Sequence, residues 1–155
     1  MSSGGASCIV HASCVALKSA GVLLLGDSSS GKSDLALRLI HEGWRLVADD
    51  RTVLAPDRGG LKAFAPATIL GLLEVRGVGI VALPAKPARL RLAVQLGREG
   101  PRLPPAENWS PRGLKGAPSL PLLRLDGRHP SDPAKIALAL RAFSQGLFRD
   151  TFVTK

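Results

Sequence analysis

Residues 26 to 33 read Gly-Asp-Ser-Ser-Ser-Gly-Lys-Ser, an uninterrupted G-x-x-x-x-G-K-[ST] loop. The short apolar, Gly-bounded run Gly21 to Leu25 precedes it, as a buried strand should, and Ser33 to Ile40 follows with apolar residues at helical spacing. Strand, loop and helix in this order commit the chain to an α/β fold with a phosphate loop at a strand's carboxyl end. Gly26 and Gly31 let backbone N–H groups turn inward around phosphate oxygens, with Asp27, Ser28, Ser29 and Ser30 between them, and the helix N-terminus adds partial positive charge. Lys32 is placed to reach β- and γ-phosphates, and Ser33 to offer its hydroxyl to Mg²⁺. The plain alternative is a Gly- and Ser-rich turn, which would not call for four fixed residue types in this context.

Length and composition narrow the rest. At 155 residues and 45% hydrophobic content the chain suits a single α/β domain over residues 7–155, with residues 1–6 read as a disordered tail. No apolar stretch approaches the roughly 20 residues that cross a bilayer. The first residues lack the basic and apolar regions of a secretory signal, so the expected location is the cytoplasm. Cys8 and Cys14 have no second pair to complete a zinc site and are read as reduced thiols. They share even parity with Val10 and Ala12, opposite the face of Ile9, His11, Ser13 and Val15.

The net charge of +9 is uneven: eight Lys/Arg stand against seven Asp/Glu up to Pro84, and thirteen against five from Ala85 onward. Such a field favours an acidic partner. Nucleic acid is disfavoured by the absence of Tyr, the 4% aromatic content and the lack of a recognition motif.

Along the chain, residues 7 to 17 read as a strand and residues 32 to 42 as a helix closed by Gly43. Trp44 to Ala48 reads as a further strand, ending in Asp49-Asp50. Short strands or turns are expected from Arg51 to Phe64. Gly71 to Leu83 is apolar except for Glu74 and Arg76. A strand is expected over Leu90 to Leu96, a Pro- and Gly-rich loop over 97–116 and another strand over Leu120 to Leu125. A last helix starts at Ser131-Asp132-Pro133, with Ile136, Leu138, Ala139, Leu140 and Phe143 as its apolar face.

Ligands of α/β sheets bind at strand carboxyl ends, which places Asp49 and Asp50 beside the phosphate loop. Phosphoryl transfer needs charge neutralisation and a base that orients the acceptor hydroxyl, so carboxylates are sought there. Asp50 lies 18 residues after Lys32. On spacing alone, a turn or cap role for the Asp pair remains open.

Four segments in order resemble the HPr kinase/phosphorylase family: His11, twenty-one residues before Lys32; Gly26 to Ser33; Leu46-Val47-Ala48-Asp49-Asp50-Arg51; and Leu73-Glu74-Val75-Arg76-Gly77-Val78-Gly79-Ile80. The last is similar to the family signature Leu-Glu-Ile-Arg-Gly-Leu-Gly-Ile. Together they cover about residues 8 to 83. The resemblance implies a P-loop kinase domain of the HPr kinase/PEP carboxykinase type, a mixed sheet with flanking helices, in a short form close to the catalytic domain alone. It implies an ATP- and Mg²⁺-dependent serine kinase acting on HPr or a related phosphocarrier, with reverse phosphorolysis as a further activity.

By the same resemblance Asp50 is the catalytic carboxylate and Asp49 helps position the acidic site. His11 is the active-site histidine, and Glu74 joins Ser33 on Mg²⁺. Arg76 orders phosphate or pairs with a carboxylate. A further phosphate-contacting arginine matches Arg102, with Arg112 as competitor, and Leu125 to Pro133 occupies the region of the phosphorolysis loop. Homo-oligomeric assembly is compatible with the resemblance. A small-molecule kinase and a nucleotide sensor without turnover stay open as alternatives, and the loop does not discriminate ATP from GTP or pyrophosphate, because it reads phosphates and not the base.

Overall fold

A computed structural model describes residues 6–149. The tail expected over residues 1–6 lies outside these apart from Ala6, which is exposed. The strands are β1 Cys8–Val10, β2 Ala12–Leu17, β3 Ala20–Leu25, β4 Arg45–Ala48, β5 Thr52–Asp57, β6 Gly60–Phe64, β7 Leu72–Val75, β8 Gly79–Ala82, β9 Ala88–Leu96, β10 Asn108–Trp109 and β11 Leu120–Leu125. The helices are α1 Lys32–His41 and α2 Asp132–Gln145. The main sheet has the order β1-β5-β6-β9-β3-β2-β4, with β11 alongside the second half of β9 and β10 on β11. It is mixed, as the resemblance implies: β3 is antiparallel to β2 and parallel to β9.

Alternation sorts the side chains onto two faces. Val15, Val22, Leu24, Leu46, Leu92 and Val94 meet Leu35, Ala36 and Leu39 of α1 and Ile136, Ala139 and Leu140 of α2. Both helices therefore pack on one face. The opposite face gathers Ala12, Cys14, Ala16, Leu23, Val47, Leu54 and Leu61 into a second core, closed by the curl that brings β6 against β4. Cys8 and Val10 pack on that same core, as even parity predicts. Fully burying a Leu-sized side chain contributes about 1.5–3 kcal/mol, and each face holds several.

Gly71 to Leu83 holds the separate hairpin β7–β8, with Glu74 on β7 and Arg76 in the turn. Two expectations need correction. Residues 7–17 form two strands, because the chain bends at His11: β1 pairs with β5, while β2 pairs with β3 and β4. On α2, Leu138 and Phe143 are exposed, and Ala142 takes the buried position instead.

Candidate active site

One edge of the sheet collects the chemistry. The carboxyl end of β3, which leads into the phosphate loop, lies beside the start of β2 through the pair Ala12↔Leu25. The end of β4 lies on the other side of β2 through Cys14↔Ala48. The next pair between these two chain segments is Val10↔Thr52. Residues 11–13 and 49–51 thus face one another where the ladder is interrupted, and His11, Ser13, Asp49 and Asp50 all lie in that gap.

Gly31 caps α1 at φ +92, and a Cβ there would have nothing within 4 Å, so it would project into the open cleft that Gly31 lines. Gly26 has φ +150, and a Cβ there would come within 2.4 Å of Ser30 Oγ. The loop is closed by Ser30, whose N–H and hydroxyl both donate to the Asp27 carbonyl, at 3.0 and 2.7 Å. The Lys32 ammonium is almost fully buried and donates to the Gly26 and Asp27 carbonyls, both at 2.8 Å. An ammonium has three N–H donors, and a buried cation needs a compensating charge. No carboxylate pairs with Lys32 among the described residues. Its third donor and its charge fit a phosphate.

Asp49 is buried and both its oxygens accept hydrogen bonds. Oδ1 accepts from Ser33 Oγ at 2.7 Å and Ser13 Oγ at 2.9 Å, and Oδ2 from the Glu74 backbone N–H at 3.1 Å. Asp50 turns the other way. Its φ is +69, a left-handed conformation sparsely used by residues other than glycine. Its N–H donates to Ser13 Oγ at 3.0 Å, and its Oδ1 lies 2.8 Å from His11 Nε2, with both side chains about half exposed. Neighbouring aspartates are thereby divided into one buried carboxylate against Ser33 and one that reaches the cleft.

The cleft has a volume of about 620 Å³, within the range of small-molecule sites. It brings together His11, Ser28, Ser29, Gly31, Lys32, Ser33, Asp49, Asp50, Glu74 and Arg76. Arg102 and Arg112 are not among the residues lining it; Arg112 lines a neighbouring depression that also touches His11. A further arginine that does line the cleft, besides Arg76, is Arg128, whose guanidinium donates to the Ser29 carbonyl. Sequence reasoning passed over Arg128 because its place depends on the loop 126–131. Asp132, fully buried, accepts from the N–H groups of Gly127 and His129 at 2.9 Å each, and Arg38 of α1 donates to the carbonyls of the same two residues. Ser13 also escaped notice, since nothing in an isolated strand serine announces a contact 36 residues away.

Ser33, Asp49 and Glu74 supply only oxygen donors, which suits Mg²⁺. The described residues contain no group of three or more His, Cys, Asp or Glu side chains arranged around one point. Such a partial oxygen set fits the ion's usual mode of binding, with water and nucleotide phosphates completing the coordination.

Comparison with known proteins adds an independent line. The family model described as HPr Serine kinase C-terminal domain matches residues 5–86. HPr kinase/phosphorylase of Streptococcus thermophilus is 51% identical over 73 residues, which are 46% of this chain and 24% of that protein. The protein of the same name from Clostridium novyi is 43% identical over 76 residues, 49% of this chain and 25% of its own length. The matched stretch is thus about a quarter of these relatives. The structure of the HPr(Ser) kinase/phosphatase from Coxiella burnetii superposes with a TM-score of 0.72 over 90% of this chain and 97% of that one, at 23% identity. That superposition carries the P-loop kinase fold.

Proposed function

The chain belongs to the HPr serine kinase C-terminal domain family, and on that premise we propose that it transfers the γ-phosphoryl group of ATP to a serine of HPr or a related phosphocarrier protein. The observation that carries the reading is the division of Asp49 and Asp50 at one edge of the cleft. One carboxylate is locked to the phosphate-loop serine and the other is free to meet an acceptor hydroxyl.

In this reading the loop N–H groups and Lys32 hold the donor's phosphates, and Ser33, Asp49 and Glu74 hold Mg²⁺. Bound there, the ion would neutralise charge on the phosphates. Asp50 orients the serine hydroxyl; as the serine oxygen bonds to phosphorus and the bond to the leaving nucleoside diphosphate breaks, the proton passes to the Asp50 carboxylate. A carboxylate is too weak a base to ionise serine beforehand, so the proton moves late. His11 holds Asp50 in place through the 2.8 Å contact. Arg76 and Arg128 offset charge on the transferring group, Arg128 taking the part that the resemblance gives to Arg102. In the reverse direction inorganic phosphate takes the phosphoryl group from phosphoserine, giving pyrophosphate, and Asp50 returns its proton to the serine oxygen. The basic residues from Ala85 to Lys115 suit an acidic protein surface. A cytoplasmic location, where such a carrier would be found, belongs to the same reading.

The test is transfer from labelled ATP, with Mg²⁺, to candidate phosphocarriers, comparing the wild type with Asp50→Asn. Labelling of a carrier serine that falls by roughly 10²-fold or more in the variant is expected, the lower end of a general base's contribution. Label on a metabolite would instead indicate a small-molecule kinase. ATP binding without transfer to either would indicate a sensor.

A further inference from the structure

Where the ladder between residues 8–17 and 45–57 is interrupted, one side chain spans the gap. Ser13 is fully buried and shares the parity of Val15, so its hydroxyl points to the face that carries α1 and Ser33. That hydroxyl donates to Asp49 Oδ1 at 2.9 Å and accepts the Asp50 N–H at 3.0 Å. Beside it, Thr52 Oγ1 donates to the Ala12 carbonyl at 2.8 Å, a second side-chain bond where backbone pairing is missing.

We propose that Ser13 is the positioning residue that divides the two aspartates, fixing the Asp49 carboxylate against Ser33 and holding Asp50 in the left-handed conformation that aims it at His11. The inference rests on the reading of the cleft as a phosphoryl-transfer site. A hydroxyl carries one proton and two lone pairs, so it can serve both aspartates at once. An aliphatic residue of the same size could do neither: Asp49 would lose one of its two hydroxyl donors, and the Asp50 N–H would be left without its acceptor. A left-handed aspartate costs on the order of 1 kcal/mol and persists only where neighbours over-determine it. Asp50 has three such restraints: the Ser13 oxygen on its N–H, the Arg51 N–H donating to the Asp49 carbonyl at 2.8 Å in a tight turn around it, and His11 on its side chain. Ser13 is the one that also reaches the Asp49 carboxylate.

The prediction concerns metal dependence as well as rate. In Ser13→Ala, the Mg²⁺ concentration for half-maximal ATP binding, read by calorimetry, should rise by about tenfold, the scale of lost support around a metal ligand. Phosphoryl transfer to the carrier should fall by a similar or larger factor. Ser13→Thr keeps the hydroxyl and should hold both values within about threefold of wild type. If Ser13→Ala does not fold, Ser13→Cys preserves the volume with a weaker donor and should show the same rise in Mg²⁺ requirement. The idea is overturned if the alanine or cysteine variant keeps the wild-type Mg²⁺ dependence, or if its losses follow only the fraction of protein folded. Should the wild type transfer nothing to a carrier while Ser13→Ala still raises the Mg²⁺ requirement, the serine-kinase reading fails and the positioning role stands.

Discussion

Asp49 and Asp50 show how far apart two adjacent carboxylates can be set by a local backbone turn and the hydroxyl that bridges them. The φ of +69 at Asp50 sends its side chain to His11, while Asp49 stays buried against Ser33. Their closeness to the loop was legible from strand-end logic, and the resemblance supplied their importance. Their different burial was not legible, because it depends on the Ser13 hydroxyl. The cysteines make a contrasting case. Cys14 is enclosed in the second core, and burial pushes its thiol up to about 12, with Arg45 opposing the shift; Cys8 is raised less, also by burial. A thiol raised in the folded state contributes stability that is fully present below its unfolded pKa near 9 and is lost as pH climbs toward 12. Across that window the loss attributable to Cys14 approaches about 1.4 kcal/mol per pH unit, the value of one proton. Cys14→Ala should therefore lose stability with a shallower alkaline slope than wild type in urea melts between pH 9 and 11. In the native protein, a small alkylating reagent at pH 8 should modify Cys8 well before Cys14. Equal rates, scored by mass spectrometry, would contradict the enclosed core.

Elements were legible where one periodicity ran uninterrupted, as in α1, β3 and β11. They were not where a bulge changed the phase. In β9, Leu90 faces the second core and Leu92 the helix face, because the pairing with β3 slips by one residue between them. A strict alternation would put both on one face. The basic C-terminal half also reads differently at this scale, since some of its arginines hold backbone. Arg89 donates to the carbonyls of Asp57 and Arg58, fixing the β5–β6 turn, and Arg124 is paired bidentately with Glu107 at 2.9 Å. The loop before α2 is held by Asp132 on its N–H groups and Arg38 on its carbonyls. Asp132 Oδ2 serves the N–H groups of Gly127 and His129, while its Oδ1 has only Lys135, at 3.9 Å. Asp132→Ala leaves two buried or half-buried donors unpaired and should cost about 2–4 kcal/mol, measured by urea denaturation. With it Arg128 should lose its fixed place, weakening ATP binding. Asp132→Asn keeps one accepting oxygen and should recover most of the stability. Equal losses in the two variants would show that charge, and not the loop's hydrogen bonds, sets the cost.

For the whole molecule, the strand order outweighs the reach of the family match. Residues 5–86 carry His11, the phosphate loop, both aspartates and Glu74, so the proposed reaction is written almost entirely in the first half. The fold is not. β9, at Ala88–Leu96, lies between β3 and β6 and is parallel to β3 along the strand that feeds the phosphate loop. Removing it would expose Val22, Leu23 and Leu24 along an unpaired edge and leave β6 with β5 as its one strand partner. The helix face would also lose Ile136, Ala139 and Leu140 of α2. A strand from beyond the matched residues is inserted between β3 and β6, so the recognisable segment depends on pairings from a part of the chain that matches the family less clearly. A fragment ending at Lys86 should accordingly show no cooperative urea transition and no saturable ATP binding, although it contains the complete phosphate loop. Circular dichroism and calorimetry on the fragment and the full chain, side by side, check this. A fragment that melted cooperatively and bound ATP would mean that β1 to β8 can close their own core, and that β9 is an addition to the site's scaffold instead of its centre.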